Sequence, residues 1–233
     1  MTLATITSDF MHVVDLGIAQ VLLGNVLFEL YEEIGTNGDA LGDLLGLIRW
    51  AAKQLNMEPP IGKLTLLMFK SPTKRPKLKV KAAECRHLVP IVHKMLTLFP
   101  MGSEHSRMRF SCVGLLVDIY KEFDTWDAAK SPARIATAGR KHCILYAQLG
   151  LDLWASGKNE GRLYYAVLPK HHIFLHLVES QSYTDGNPKM SWAYRDESEI
   201  GTATKSAALM HTKTLMHETM DRYRLLTLAS VPL

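Results

Sequence analysis

The chain has 233 residues, 47% of them hydrophobic and 21% charged, with a formal net charge of +4. That is the composition of an ordinary globular protein of one domain to one and a half, long enough to bury about 70% of its unfolded surface. It excludes a chain dominated by membrane spans: the apolar stretch from Val13 to Leu30 is broken by Asp15, Gln20, Asn25 and Glu29, short of the roughly 18 to 20 uninterrupted apolar residues a span needs.

The N-terminus lacks the basic start and small-residue cleavage site of a secretory signal, and Cys85, Cys112 and Cys143 are too few and too scattered for a disulfide frame. An intracellular protein with reduced thiols and no membrane partner is expected.

The pattern along the chain is mostly helical. Asp9 can cap a first helix whose apolar residues cover more than one face, as in a central helix, running to about Ile34 and ending at Gly35 with an Asn37-Gly38 turn. A second helix, Asp39 to Asn56, is stopped by Glu58-Pro59-Pro60. Leu64 to Phe69 is apolar but too short for periodicity to assign. Lys70 to Lys81 then carries six basic residues in twelve positions and no acid. Such a run solvates a linker or attracts phosphates, and Lys74, Arg75, Lys77 and Lys79 are its candidate DNA contacts.

A third helix spans about Leu78 to Phe99, with Pro90 as a kink or break. Pro100-Met101-Gly102 ends it, and Ser103 caps a fourth that runs to about Trp126. Ser131-Pro132 opens a fifth that reaches about Ser156. After the loop at Gly157 to Gly161, Arg162 to Leu168 reads as a strand or an extended lead-in, Lys170 to Val178 as a helix, and Glu197 to about Ser230 as a long amphipathic helix. The fold class is therefore mainly α, a helical bundle with at most one or two short strands. We divide the single domain into a core-type helix (1–34), a helical bundle (35–157) and a return segment (162–233).

Candidate chemistry is sparse, and no GxSxG, P-loop, GxGxxG or CxxC is present. His172 and His176 stand four apart, so a helix puts both rings on one face where they could share zinc. They are only half a tetrahedral set, and His171 is displaced from them. Asp9 and His12 suit a helix cap as well as a site. Glu197 and Glu199, two apart, would point about 200° from each other on a helix and cannot both face one centre.

The order of these pieces carries more than any one of them. DFMHVVDLGIAQVLLGNVL at the front, KLKVKAAECRHLV in the middle, and KHHIFLHL, GNP and YRDESEIG near the end resemble the latter part of the catalytic region of CACTA-type cut-and-paste DNA transposases. The resemblance covers nearly the whole chain, loosely. It implies an RNase H-like site followed by a helical insertion. The D-x-x-H motif falls on Asp9 and His12, the inner segment on Lys81, Glu84, Cys85 and Arg86, the histidine motif on His172 and His176, and the final acid on Glu197, four residues before Gly201. It further implies Mg2+ or Mn2+ held by Asp9, Glu197 and a further acid, activating water and then a DNA 3′ hydroxyl for attack on phosphodiesters.

Two departures matter. The strand bearing the leading aspartate belongs upstream of Asp9, and the family's arginine after the final Glu is Ser198 here, with Arg195 the nearest. The expectation is a transposase-derived portion, inactive alone, nuclear if it acts on DNA, with homo-oligomerisation left open. The alternative is an all-α protein-binding or scaffold protein without catalysis.

Overall fold

Among the described residues, one buried helix forms the core, and three further helices and a short hairpin pack on it. In this computed structural model, which describes residues 8–35, 38–70, 75–159, 161, 163–191 and 193–194, π-wound turns over Met11–Ile18 run directly into α1, Ala19–Ile34. The π winding shows in the Ala19 N–H, which reaches back five residues to the Val14 carbonyl. Every residue from Ala19 to Leu30 is buried, as the all-round apolar sequence predicts. By length and composition this helix could cross a membrane, yet almost all of it is covered by protein. Each large aliphatic side chain removed from water this way contributes about 1.5–3 kcal/mol.

On the core helix lie α2 (Ala40–Gln54), α3 (Ala82–Leu96) and α4 (Glu104–Asp124), and α5 (Ser131–Ala155) lies along α4, with which it shares the most extensive interface. Their starts follow the sequence signals: Asp39 accepts from the Gly42 N–H at 3.0 Å, Ser103 from the Ser106 N–H at 3.0 Å, and Pro132 sits in the first turn of α5. Pro90 lies inside α3 without ending it. The described residues up to Ser191 pack as one compact, mainly α unit.

Three expectations change. The basic run is not wholly a solvated linker: β1 (Phe69–Lys70) pairs antiparallel with β2 (Lys77–Leu78), and β2 lies on the core helix. Gly24 makes that approach possible, since a Cβ there would stand 2.6 Å from the Leu78 nitrogen and 2.7 Å from Lys77 Cα. Gln20 and Asn25 then donate to the Val80 and Pro76 carbonyls, at 2.7 and 3.4 Å, satisfying backbone that would otherwise be orphaned against an apolar helix. Consequently α3 begins at Ala82 rather than Leu78.

The third change concerns 163–168, where the strand alternative is not formed and the chain is instead a lead-in that ends at Pro169. These residues cross the core helix as irregular chain with Tyr165 at φ +51°. The segment then enters α6 (Pro169–His176), which continues through π-wound Leu177–Gln181 into the short α7 (Ser182–Thr184).

Candidate functional site

The amino end of the core helix gathers the motif residues. The Asp9 carboxylate accepts the Met11 and His12 N–H groups, at 3.2 and 3.1 Å, and also meets the His12 ring through Nδ1. Asp9 is therefore a true helix cap, with 23% of its side chain and 51% of that of His12 open to solvent. The return segment arrives at the same place. Lys170 Nζ donates to the His12 carbonyl at 2.6 Å, its side chain lying over Gly17, where a Cβ would come within 2.7 Å of Lys170 Cδ. Gln181 brackets Ser8, accepting its N–H at 2.9 Å and donating to its carbonyl at 3.2 Å.

One turn deeper lies a group that sequence reading passed over. Asp15 is fully buried and accepts the Tyr120 hydroxyl. Its negative charge, after burial itself, helps hold the fully buried Cys85 thiol well above its usual range. Arg86 stands over the Tyr120 ring at 5.4 Å, and Lys77 donates to the Leu16 carbonyl at 3.2 Å. Thus Cys85 and Arg86 of the inner motif come to the same end of the core helix as Asp9 and His12. The available signal for Asp15 was a lone acid inside an otherwise apolar stripe.

Other named residues fall elsewhere. His172 and His176 are exposed on α6 with their Nε2 atoms 3.1 Å apart, a distance at which one ring donates to the other. On a helix they lie roughly opposite Lys170 and Phe174, the side that packs inward. Glu179, a turn further on, is held by Arg140 at 2.7 Å. Among the described residues no group of three or more His, Cys, Asp and Glu is placed to hold a metal.

His171 is buried. Its Nδ1 accepts the Leu168 N–H at 3.0 Å, and burial pushes its pKa down to about 4, so the ring is a neutral cap for α6. Of the basic run, Arg75 and Lys79 are exposed, whereas Lys77 is half-buried and occupied at Leu16. Lys74 and Glu197 lie outside the described residues, as does the helix expected from Glu197 onward.

The carboxyl end of the core helix carries a second polar cluster with no counterpart among the expectations. Glu29, almost wholly buried, accepts from His105 Nε2 at 2.9 Å and from the Tyr165 hydroxyl, with Arg109 at 3.5 Å. Arg109 donates twice to Glu33, at 2.7 and 3.2 Å, and the Tyr164 hydroxyl donates to Glu32 at 2.9 Å. No family model, curated protein or solved structure matches this chain.

Proposed function

We propose that the chain is a transposase-derived catalytic portion: the resemblance assigns Asp9 and Glu197 as acids of a two-metal centre for Mg2+ or Mn2+, and the helices from α2 to α5 as the insertion. One observation carries the reading. Segments 158 residues apart in sequence, one bearing Asp9 and His12 and the other bearing the histidine motif, meet through Lys170 and His12. The inner motif reaches the same helix end through Cys85 and Arg86. The stretches that carry the motifs thus meet at one helix end, although the His172 and His176 rings themselves face away from it.

The chemistry asked of the site is electrostatic. Two hard cations about 4 Å apart need clustered carboxylates to neutralise them, and in exchange they polarise the phosphodiester and lower the pKa of bound water. Asp9 and Glu197 alone are too few for two ions, so this chain is inactive by itself and needs the further acid that the resemblance requires. Arg75 and Lys79 are the exposed cations suited to phosphate contacts. Lys77 is committed to the fold.

DNA affinity measured by fluorescence anisotropy between 50 and 200 mM salt tests this. The expected result is affinity that falls steeply with salt, with a log–log slope reduced by about one for each of Arg75→Ala and Lys79→Ala. Affinity that ignores both salt and these substitutions overturns the DNA assignment. An experimental structure placing the Glu197 carboxylate more than about 12 Å from that of Asp9, beyond the reach of a two-metal centre, overturns the site.

A row of exposed apolar side chains on α5, namely Ile144, Leu151 and Trp154 at 63%, 60% and 74% exposure, favours the second reading, an all-α protein-binding or scaffold module. In that case DNA affinity at physiological salt is negligible.

A further inference from the structure

The geometry points to His105 as a proton-operated latch that fastens the core helix to α5 and, through Glu29, holds down the segment leading into α6. His105 sits between two carboxylates: Nε2 is 2.9 Å from Glu29 on α1, and Nδ1 is 2.7 Å from Asp152 on α5. A neutral imidazole owns one N–H and one lone pair and can satisfy only one of them. Both contacts are hydrogen bonds only when the ring is an imidazolium. The charged groups facing it are Glu29 and Glu33 from α1, Arg109 from its own helix and Asp152 from α5, with the Tyr165 hydroxyl and, around the adjacent hollow, Glu32, Lys158 and Tyr164.

Glu29 passes the effect on. Its second oxygen accepts the Tyr165 hydroxyl, while the Tyr165 N–H is tied to Asn25 at 3.0 Å. Tyr165 is held at φ +51°, a left-handed conformation that an aromatic residue adopts only under constraint. Its backbone strain is therefore offset by anchors that include Glu29. When the ring loses its proton, a lone pair faces either Glu29 or Asp152. The carboxylate oxygen that loses its His105 donor draws in water, and where that oxygen belongs to Glu29 the constraint on Tyr165 weakens.

The sign follows from the partners. Burial pulls the His105 pKa down, but the Glu29 hydrogen bond and charge and the Asp152 hydrogen bond outweigh it against an opposing Arg109, leaving a net rise from the usual 6.5. A raised folded-state pKa means that the latch's contribution is full below about pH 6.5 and is lost as pH climbs through the folded value. None of this depends on whether the chain acts on DNA.

The test pairs two measurements on the full chain. The His105 ring is titrated by NMR, and exchange of the Tyr164 and Tyr165 amides is followed from pH 6 to pH 9 after correction for intrinsic rates. Their protection is expected to fall about fivefold or more across the ring's titration. In His105→Gln, which keeps an amide donor but cannot titrate, the protection should be flat with pH. Should that variant not fold, coincidence of the two wild-type midpoints replaces it. Protection independent of pH in the wild type, an equal fall in His105→Gln, or a ring that titrates below 6.5 overturns the proposal.

Discussion

Each end of the core helix buries one carboxylate against a tyrosine hydroxyl, Asp15 at the amino end and Glu29 at the carboxyl end, and the ends differ in what surrounds that pair. At the carboxyl end, Glu29 and Arg109 are buried under α4, α5 and the 163–168 segment and tied to His105, Tyr165 and Glu33, with the outer carboxylate, Glu33, reaching solvent. At the amino end, Asp9 and His12 are bonded to each other and to the first helical turn while keeping 23% and 51% of their side chains in solvent, and the return segment reaches this end through the His12 and Ser8 backbone carbonyls. A buried network stabilises a fold, whereas a bonded pair that keeps a solvent-facing edge can also meet a ligand.

Arg109→Ala is the largest test of that contrast. Arg109 is 1% exposed, and removing it strips the buried Glu29 of a counter-charge and Glu33 of both its hydrogen bonds. The loss is expected to be about 3 kcal/mol in urea unfolding. A cost below about 1 kcal/mol means that the network does not stabilise the fold and that the two ends do not differ in kind.

Tyr165→Phe is the next step down. Glu29 loses one donor but keeps His105 and Arg109, so the expected cost is about 1 kcal/mol, close to that of a single hydrogen bond. Because the lost hydroxyl also restrains a left-handed residue, amide exchange between Leu163 and Leu168 should accelerate more than the global loss accounts for. Uniform acceleration through the chain would show that the segment is not separately anchored.

How far this was legible in the sequence follows from what each feature rests on. Asp9, Asp39 and Ser103 announced three helix starts because capping is local chemistry between neighbours, and Pro132 announced a fourth as a first-turn proline, although Ser131 is no cap and its hydroxyl instead donates to Glu122 and accepts the Asp127 N–H. The all-round apolarity of 13–30 announced a buried helix because burial on every side leaves no polar face. The packing of Lys77 and Leu78 on Gly24 was hidden, since nothing in a lysine-rich run reveals that a glycine fifty residues earlier has left room for it. Glu29 looked like an interruption of an apolar stripe, as Asp15 did. What makes either comfortable is a tyrosine more than a hundred residues away, Tyr165 for one and Tyr120 for the other. The π winding over Met11–Ile18 also leaves no compositional mark.

Asp9→Asn should change least in stability and most in meaning. Asparagine caps a helix about as well as aspartate, and its side-chain oxygen can still accept the Met11 or His12 N–H, so the melting temperature should stay within what about 0.5 kcal/mol allows. What the substitution removes is the negative charge. If Asp9 is only a cap, the response of the protein to millimolar Mn2+ will be the same before and after. If it is one corner of a metal centre, a thermal shift with Mn2+, measured in the presence of whatever chain supplies the further acid, disappears in Asp9→Asn while the apo-protein melts as before. A variant that loses stability by a kilocalorie or more without metal would instead show that the carboxylate's contact with the His12 ring is part of the fold, and the amino end would then resemble the carboxyl end after all.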